Sequence, residues 1–199
     1  MNRMRVILAG IVGGVAMFMG GFLTHGVLHI DGMFMKDLPS ETPVASAIND
    51  TISQRGWYVF PARTKLMSTP EGQKELGEKM NSGPSGIVIF NPKGGFDQKT
   101  LLGTEYISNA ALCIILSAVL ARVSGSKPTR IALATLLGVA AWLAIDVSYW
   151  NWDKFPDTYV LAGLIDQGTG WFLAGTVITL ILGKNKNKNM NADRVSGHA

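Results

Sequence analysis

Asp146-Val-Ser-Tyr149-Trp150-Asn-Trp152-Asp-Lys-Phe155-Pro-Asp-Thr-Tyr159 separates two apolar runs, at roughly 131–150 and 159–183. Each run is close to the ~20 residues a helix needs to cross a ~30 Å hydrocarbon core. The stretch therefore reads as an aromatic turn between two membrane-length helices, with Asp146 inside one and Asp166 inside the other. Trp142, Tyr149, Trp150, Trp152 and Phe155 crowd the turn. Trp and Tyr favour a membrane interface because the ring can be buried while its N–H or O–H stays wet.

Working outward, two more blocks of this kind lie at roughly 6–24 and 106–123 of the 199 residues. Charges are pushed to the ends of the blocks and the average hydropathy is positive, the pattern of an integral membrane protein. The predicted fold is all-α and membrane-bound, with four transmembrane helices and a small extracytoplasmic α/β insertion between helices one and two. Its parts are an anchor helix at 1–30, the insertion at 31–100, a three-helix bundle at 101–183 and a disordered cytoplasmic tail at 184–199.

A net charge of +4 invites a nucleic-acid reading, but the distribution of that charge argues against nucleic acid as a partner. Arg3 and Arg5 precede the first block, Arg122, Lys127 and Arg130 fill the loop after the second, and Lys184, Lys186 and Lys188 follow the fourth. Short loops rich in Lys and Arg stay on the cytoplasmic side. Both termini and the 124–130 loop are therefore expected inside, with 31–100 and the 151–158 turn outside. The lipid bilayer is the primary partner.

The first block begins like a secretion signal, but it is long and ends Gly20-Gly-Phe-Leu-Thr-His25 without an Ala-x-Ala-like site, so a retained anchor is expected. Its Gly10-x-x-x-Gly14 pair would let another helix approach closely, which offers a face for self-association or for another membrane protein. Glycine is also simply common in membrane helices.

In 31–100, Ser40 or Thr42 should cap a helix running to about Ser53, and Thr69-Pro70-Glu71 is a second helix start with a capping hydroxyl, Pro in the first turn and an early acid. Gly56–Phe60 and Gly86–Phe90 read as strands, stopped by Pro61 and by Asn91-Pro92. The second membrane helix should begin near Leu101 or Tyr106. Gly94-Gly95 lacks the residues of a phosphate loop, and no cofactor is implied. The single Cys113 lies in an apolar block, which rules out a disulfide framework.

This topology gathers His25, His29, Glu105, Asn109, Asp146 and Asp166 near the outer face. Asp146 and Asp166 lie about four and seven residues below the interface aromatics Trp150 and Tyr159, roughly 6 and 10 Å at ~1.5 Å per residue. A carboxylate at that depth costs up to ~3 kcal/mol unless paired, protonated or wetted. Three accounts stand open. The acids can fix helix register through Asn109, a histidine, Trp N–H groups or the outer unit. They can form a proton or ion site. Or they can join His25 and His29, four apart and on one face if the helix continues, in a metal or catalytic site. That pair lacks the Glu of a His-Glu-x-x-His motif. The acids leave enzymatic activity undecided.

Ser148-Tyr149-Trp150-Asn151-Trp152, Phe155-Pro156, Tyr159, Ile165-Asp166-Gln167, Gly170-Trp171 and Leu173-Ala174-Gly175 together resemble a family of small bacterial inner-membrane proteins with no assigned function. The likeness extends more loosely to the first helix, Leu38-Pro39, Gly56-Trp57-Tyr58, Phe60-Pro61 and Gly83-Pro84. It implies an anchor, an outer segment and three further helices, and assigns no activity to any residue. The leading reading is a non-enzymatic accessory or interaction subunit, the alternative a small ion or proton transporter or a metal-dependent membrane enzyme.

Overall fold

A computed structural model of the chain describes residues 2–183, apart from the side chains of Thr64 and Lys65. In chain order the elements are α1 (Arg3–Gly21), α2 (Glu41–Thr51), β1 (Gly56–Phe60), α3 (Arg63–Leu66), α4 (Pro70–Ser82), β2 (Gly86–Phe90), α5 (Gln98–Leu120), α6 (Lys127–Asp153) and α7 (Asp157–Leu182). A π-helical turn, Phe22–Val27, prolongs α1, and a 3-10 turn follows at Ile30–Met33. Among the described residues four helices, α1 with its π-turn, α5, α6 and α7, are long and apolar enough to cross a membrane. The expected tail at 184–199 lies outside the described residues.

The chain divides into two compact units. The first takes residues up to Phe34, Asp97–Ser148 and the chain from Pro156 onward. Within it α1 packs against both α5 and α7, and its glycines explain how one helix serves two neighbours. A Cβ on Gly10 would come within 2.5 Å of the Ile114 Cα, and one on Gly14 within 2.6 Å of the Ala110 Cα. Gly13 faces Ile178 and Gly20 faces Gly170 of α7. Absent side chains let backbones close in and gain dispersion contact along their length. The Gly10–Gly14 face thus takes α5 of the same chain. Ala9, Met17, Cys113, Leu116, Ile178 and Leu182 fill the core between these helices. The Trp171 ring of α7 lies over Gly138 of α6, and Gly175 meets Ala134.

At the end where α1 begins, polar groups close on backbone carbonyls. Arg5 donates from Nε to the Ile181 carbonyl at 2.7 Å. Arg130 donates from Nη1 to the Gly183 carbonyl at 2.9 Å and from Nε to that of Val123 at 3.3 Å. The last carbonyls of a helix lack intrahelical partners and carry its negative dipole end, so guanidinium groups suit them. Arg130 is only 1% exposed. Gly183 ends α7 at φ +69°, a left-handed conformation that favours glycine.

The second unit combines Met35–Phe96 with Tyr149–Phe155. β1 and β2 pair antiparallel, with Gly56 opposite Phe90 and Phe60 opposite Gly86. Thr69 caps α4 as its sequence predicts, accepting from the Gly72 N–H at 3.1 Å, whereas Ser40 occupies the cap position of α2 without a side-chain bond. Trp57 of β1 stacks on Tyr149 (6.2 Å between centroids, 30° between planes), and Tyr149 packs on Phe155. Arg63 pairs with Asp153 at 3.2 Å.

Three expectations change. The aromatic turn expected at 151–158 is largely helix: α6 runs to Asp153, because nothing from Tyr149 to Asp153 interrupts helical hydrogen bonding. The reversal is confined to 154–156, where Lys154 adopts φ +59° and Pro156 leads into α7. α5 begins at Gln98 instead of Leu101 or Tyr106, since Asp97 caps it by accepting from the Lys99 N–H and the Thr100 hydroxyl. The short α3 adds a helical turn at Arg63–Leu66, between β1 and α4, where no helix is expected from the sequence.

Candidate functional site: a polar cluster around Asp166

Asp166 projects from α7 one helical turn after Gly163 and one before Gly170. Its Oδ1 accepts from the Thr24 hydroxyl at 2.5 Å and lies 3.4 Å from His25 Nε2. Thr24 is 1% exposed and also lies 3.2 and 3.1 Å from the Gly20 and Gly21 carbonyls. A hydroxyl carries one hydrogen, and the short contact assigns it to the carboxylate. The other ring nitrogen of His25, Nδ1, lies 2.9 Å from Asp31 Oδ1 in the 3-10 turn. A neutral imidazole can donate to only one carboxylate, whereas an imidazolium can donate to both. Thr24 and His25 both belong to the π-helical turn, a local widening of the helix often met at functional positions.

Asp146 of α6 approaches from another side. It is 9% exposed and sits over Gly163, where an added Cβ would fall 2.7 Å from its Oδ1. Tyr159 is its hydrogen-bond partner, and Asp166 lies within electrostatic reach. The Trp142 indole N–H, donating to the Val160 carbonyl at 2.8 Å, fixes α6 against α7 beside it. Glu105 and Asn109 of α5 bond to each other at 3.1 Å, Glu105 exposed and Asn109 half-buried.

Two cavities flank Asp166. One of about 90 Å³ reaches Glu105, Asn109 and Trp171; another of about 120 Å³ reaches His25, Asp146 and Tyr159. Asp166 and Gln167 line both. Sites for drug-sized ligands run to ~300–1,000 Å³, so these spaces suit a few waters or one small ion.

Five of the six residues expected in one cluster thus line these two cavities. His29 does not: the helical turn ends at Val27, and His29 adopts φ +49° and stays exposed. It shares no helix face with His25, so the spacing that could have offered two imidazoles to one metal is lost. Among the described residues no group of three or more His, Cys, Asp or Glu side chains is disposed to hold a metal ion. Thr24, Asp31 and Tyr159 join the cluster although the sequence pattern does not single them out as site residues. Thr24 was recognisable as a hydroxyl next to His25 at the end of an apolar run. Asp31 depends on a turn that periodicity does not announce.

No known family model, curated protein or solved structure matches the chain. Its own geometry carries the functional reading.

Proposed function

We propose that the four long helices span the cytoplasmic membrane of a bacterium, with both termini and the 124–130 loop inside and residues 31–100 outside. The acid-free basic clusters beside the helix ends support this orientation, and the resemblance to small bacterial inner-membrane proteins supports the setting. Within it the protein acts as a non-enzymatic accessory or interaction subunit, and the Asp166 cluster locks helix register. The observation behind this reading is that Thr24 and His25 already engage the Asp166 carboxylate. An apolar core from Met17 to Ala9, Leu120 and Leu182 fills the unit beyond it, which favours a closed packing element over a conducting path.

A second reading, a site for a proton or small cation, draws on the two cavities that share Asp166 and Gln167. Purified Asp166→Asn separates them. As a register lock, the substitution lowers membrane yield and costs about 1–2 kcal/mol of stability, measured by unfolding in detergent, and abolishes no ion binding. Unchanged stability with the loss of a titrating carboxylate, or of divalent-ion binding that His25→Ala also weakens, would favour the ion site. Orientation has its own test. A cysteine at Lys186 should resist membrane-impermeant thiol reagents in intact cells; labelling from outside would overturn it.

A further inference from the structure

The chain passes between the two units four times, after Phe34, Phe96, Ser148 and Phe155. On the second unit's side, large apolar residues stand exposed at or near these junctions: Met35, Phe96, Trp150 and Trp152, with Phe96 83% and Trp152 71% exposed. The sheet shows the same feature. Trp57 and Ile89 are direct cross-strand partners, so their side chains share one face, and they are 51% and 75% exposed. Trp57 stacks on Tyr149, which lies in the last turns of α6, a helix long and apolar enough to cross a membrane.

We infer that this sheet face lies in the headgroup region of the outer leaflet, with Trp57 and Ile89 immersed at the boundary of the acyl chains. The inference rests on the membrane reading proposed above. Tyr149 is within a turn or two of the end of a spanning helix, and a ring stacked on it must occupy the same layer. Trp suits that layer because its ring is apolar and its N–H can meet headgroups. Lipid accounts for these side chains better than water does, since exposed apolar rings gain free energy on leaving water. The unit carries eight basic and seven acidic residues, so its attachment is apolar and independent of anionic lipid, unlike a polybasic patch.

The test places an environment-sensitive fluorophore on Ile89→Cys in a Cys113→Ala background, in liposomes of neutral phosphatidylcholine at low protein density. The expected signal is blue-shifted emission, quenched by shallow spin-labelled lipid more than by aqueous iodide and unchanged in high salt. Quenching by iodide alone overturns the inference, and so does protection from both quenchers, which would mean a protein contact. If that variant does not fold, native protein is compared with Trp57→Phe in liposomes of lipid brominated near the headgroup. Loss of a lipid-quenchable tryptophan component supports the inference; an unchanged quenchable fraction refutes it. Alkaline carbonate extraction separates the two levels. Release of the native chain from membranes defeats the membrane reading itself, whereas a retained chain with a water-exposed probe defeats only this inference.

Discussion

The helical unit is polar at both ends, but the ends are built on opposite principles. Where α1 begins, the charged groups are cations and their partners are carbonyls: Arg5 on Ile181 and Arg130 on Gly183 and Val123. Helices are closely packed there, with Gly10 against Ile114 and Leu120 and Leu182 fully buried. Where α1 ends, the charged groups are anions whose partners are side chains, and cavities of about 90 and 120 Å³ remain. Backbone carbonyls are fixed acceptors supplied by every helix terminus, so the cationic end needs only well-placed arginines. The anionic end must gather Thr24, His25, Tyr159 and Asp31 from separate segments, and its packing is correspondingly looser.

This contrast orders the expected effects of substitution. The largest belongs to the tight packing: Gly14→Leu drives a side chain into the Ala110 backbone and should destabilise by about 3 kcal/mol or more, read as loss of folded protein in detergent. Arg130→Ala comes next. It strips the Gly183 and Val123 carbonyls of their donor and empties a buried site, for a loss of about 3 kcal/mol, and the unfolding midpoint measures it. A Lys replacement should recover only part of this, because one ammonium cannot reproduce the forked geometry. If Arg130→Ala cost less than Asp166→Asn, the anionic end would be the better-determined one and the comparison would reverse.

The smallest effect concerns Asp97, the exposed cap of α5. The Thr100 hydroxyl foremost, then backbone N–H groups of Lys99 and Thr100, hold its carboxyl below the usual carboxylate value despite an opposing desolvation effect. A folded-state pKa below the unfolded one stabilises the fold above the unfolded value, and that contribution is lost as pH falls through the folded value. Asp97→Asn should therefore remove a shallow acid-side dependence of stability: the variant is slightly less stable than the parent at neutral pH, and the two converge as pH falls through the folded-state value. A steeper acid loss in the variant than in the parent would contradict the assignment.

Much of this molecule could be read from its sequence. The four long helices announced themselves by length and hydropathy, and the two strands by β-branched and aromatic runs between turn residues. What escaped depends on local geometry without periodic trace. The reversal after α6 needed only Lys154 at positive φ, a conformation composition does not reveal. The π-helical turn changed which residues near His25 face inward, bringing Thr24 to Asp166 and leaving His29 aside. Spacing rules assume a regular helix, and here the helix is not regular where the site begins. The Gly10–Gly14 motif was legible as a packing face, but sequence could not choose between a partner chain and α5.

The second unit is discontinuous, and this has a consequence for synthesis. Its sheet is complete once Phe90 emerges, but Tyr149 and Asp153, which cover Trp57 and pair with Arg63, arrive only after α5 and most of α6 have been made. Chains grow at roughly 5–20 residues per second, so the sheet must wait several seconds for its last contacts. A chain truncated before Tyr149 would lack the ring that stacks on Trp57 and the carboxylate that pairs with Arg63.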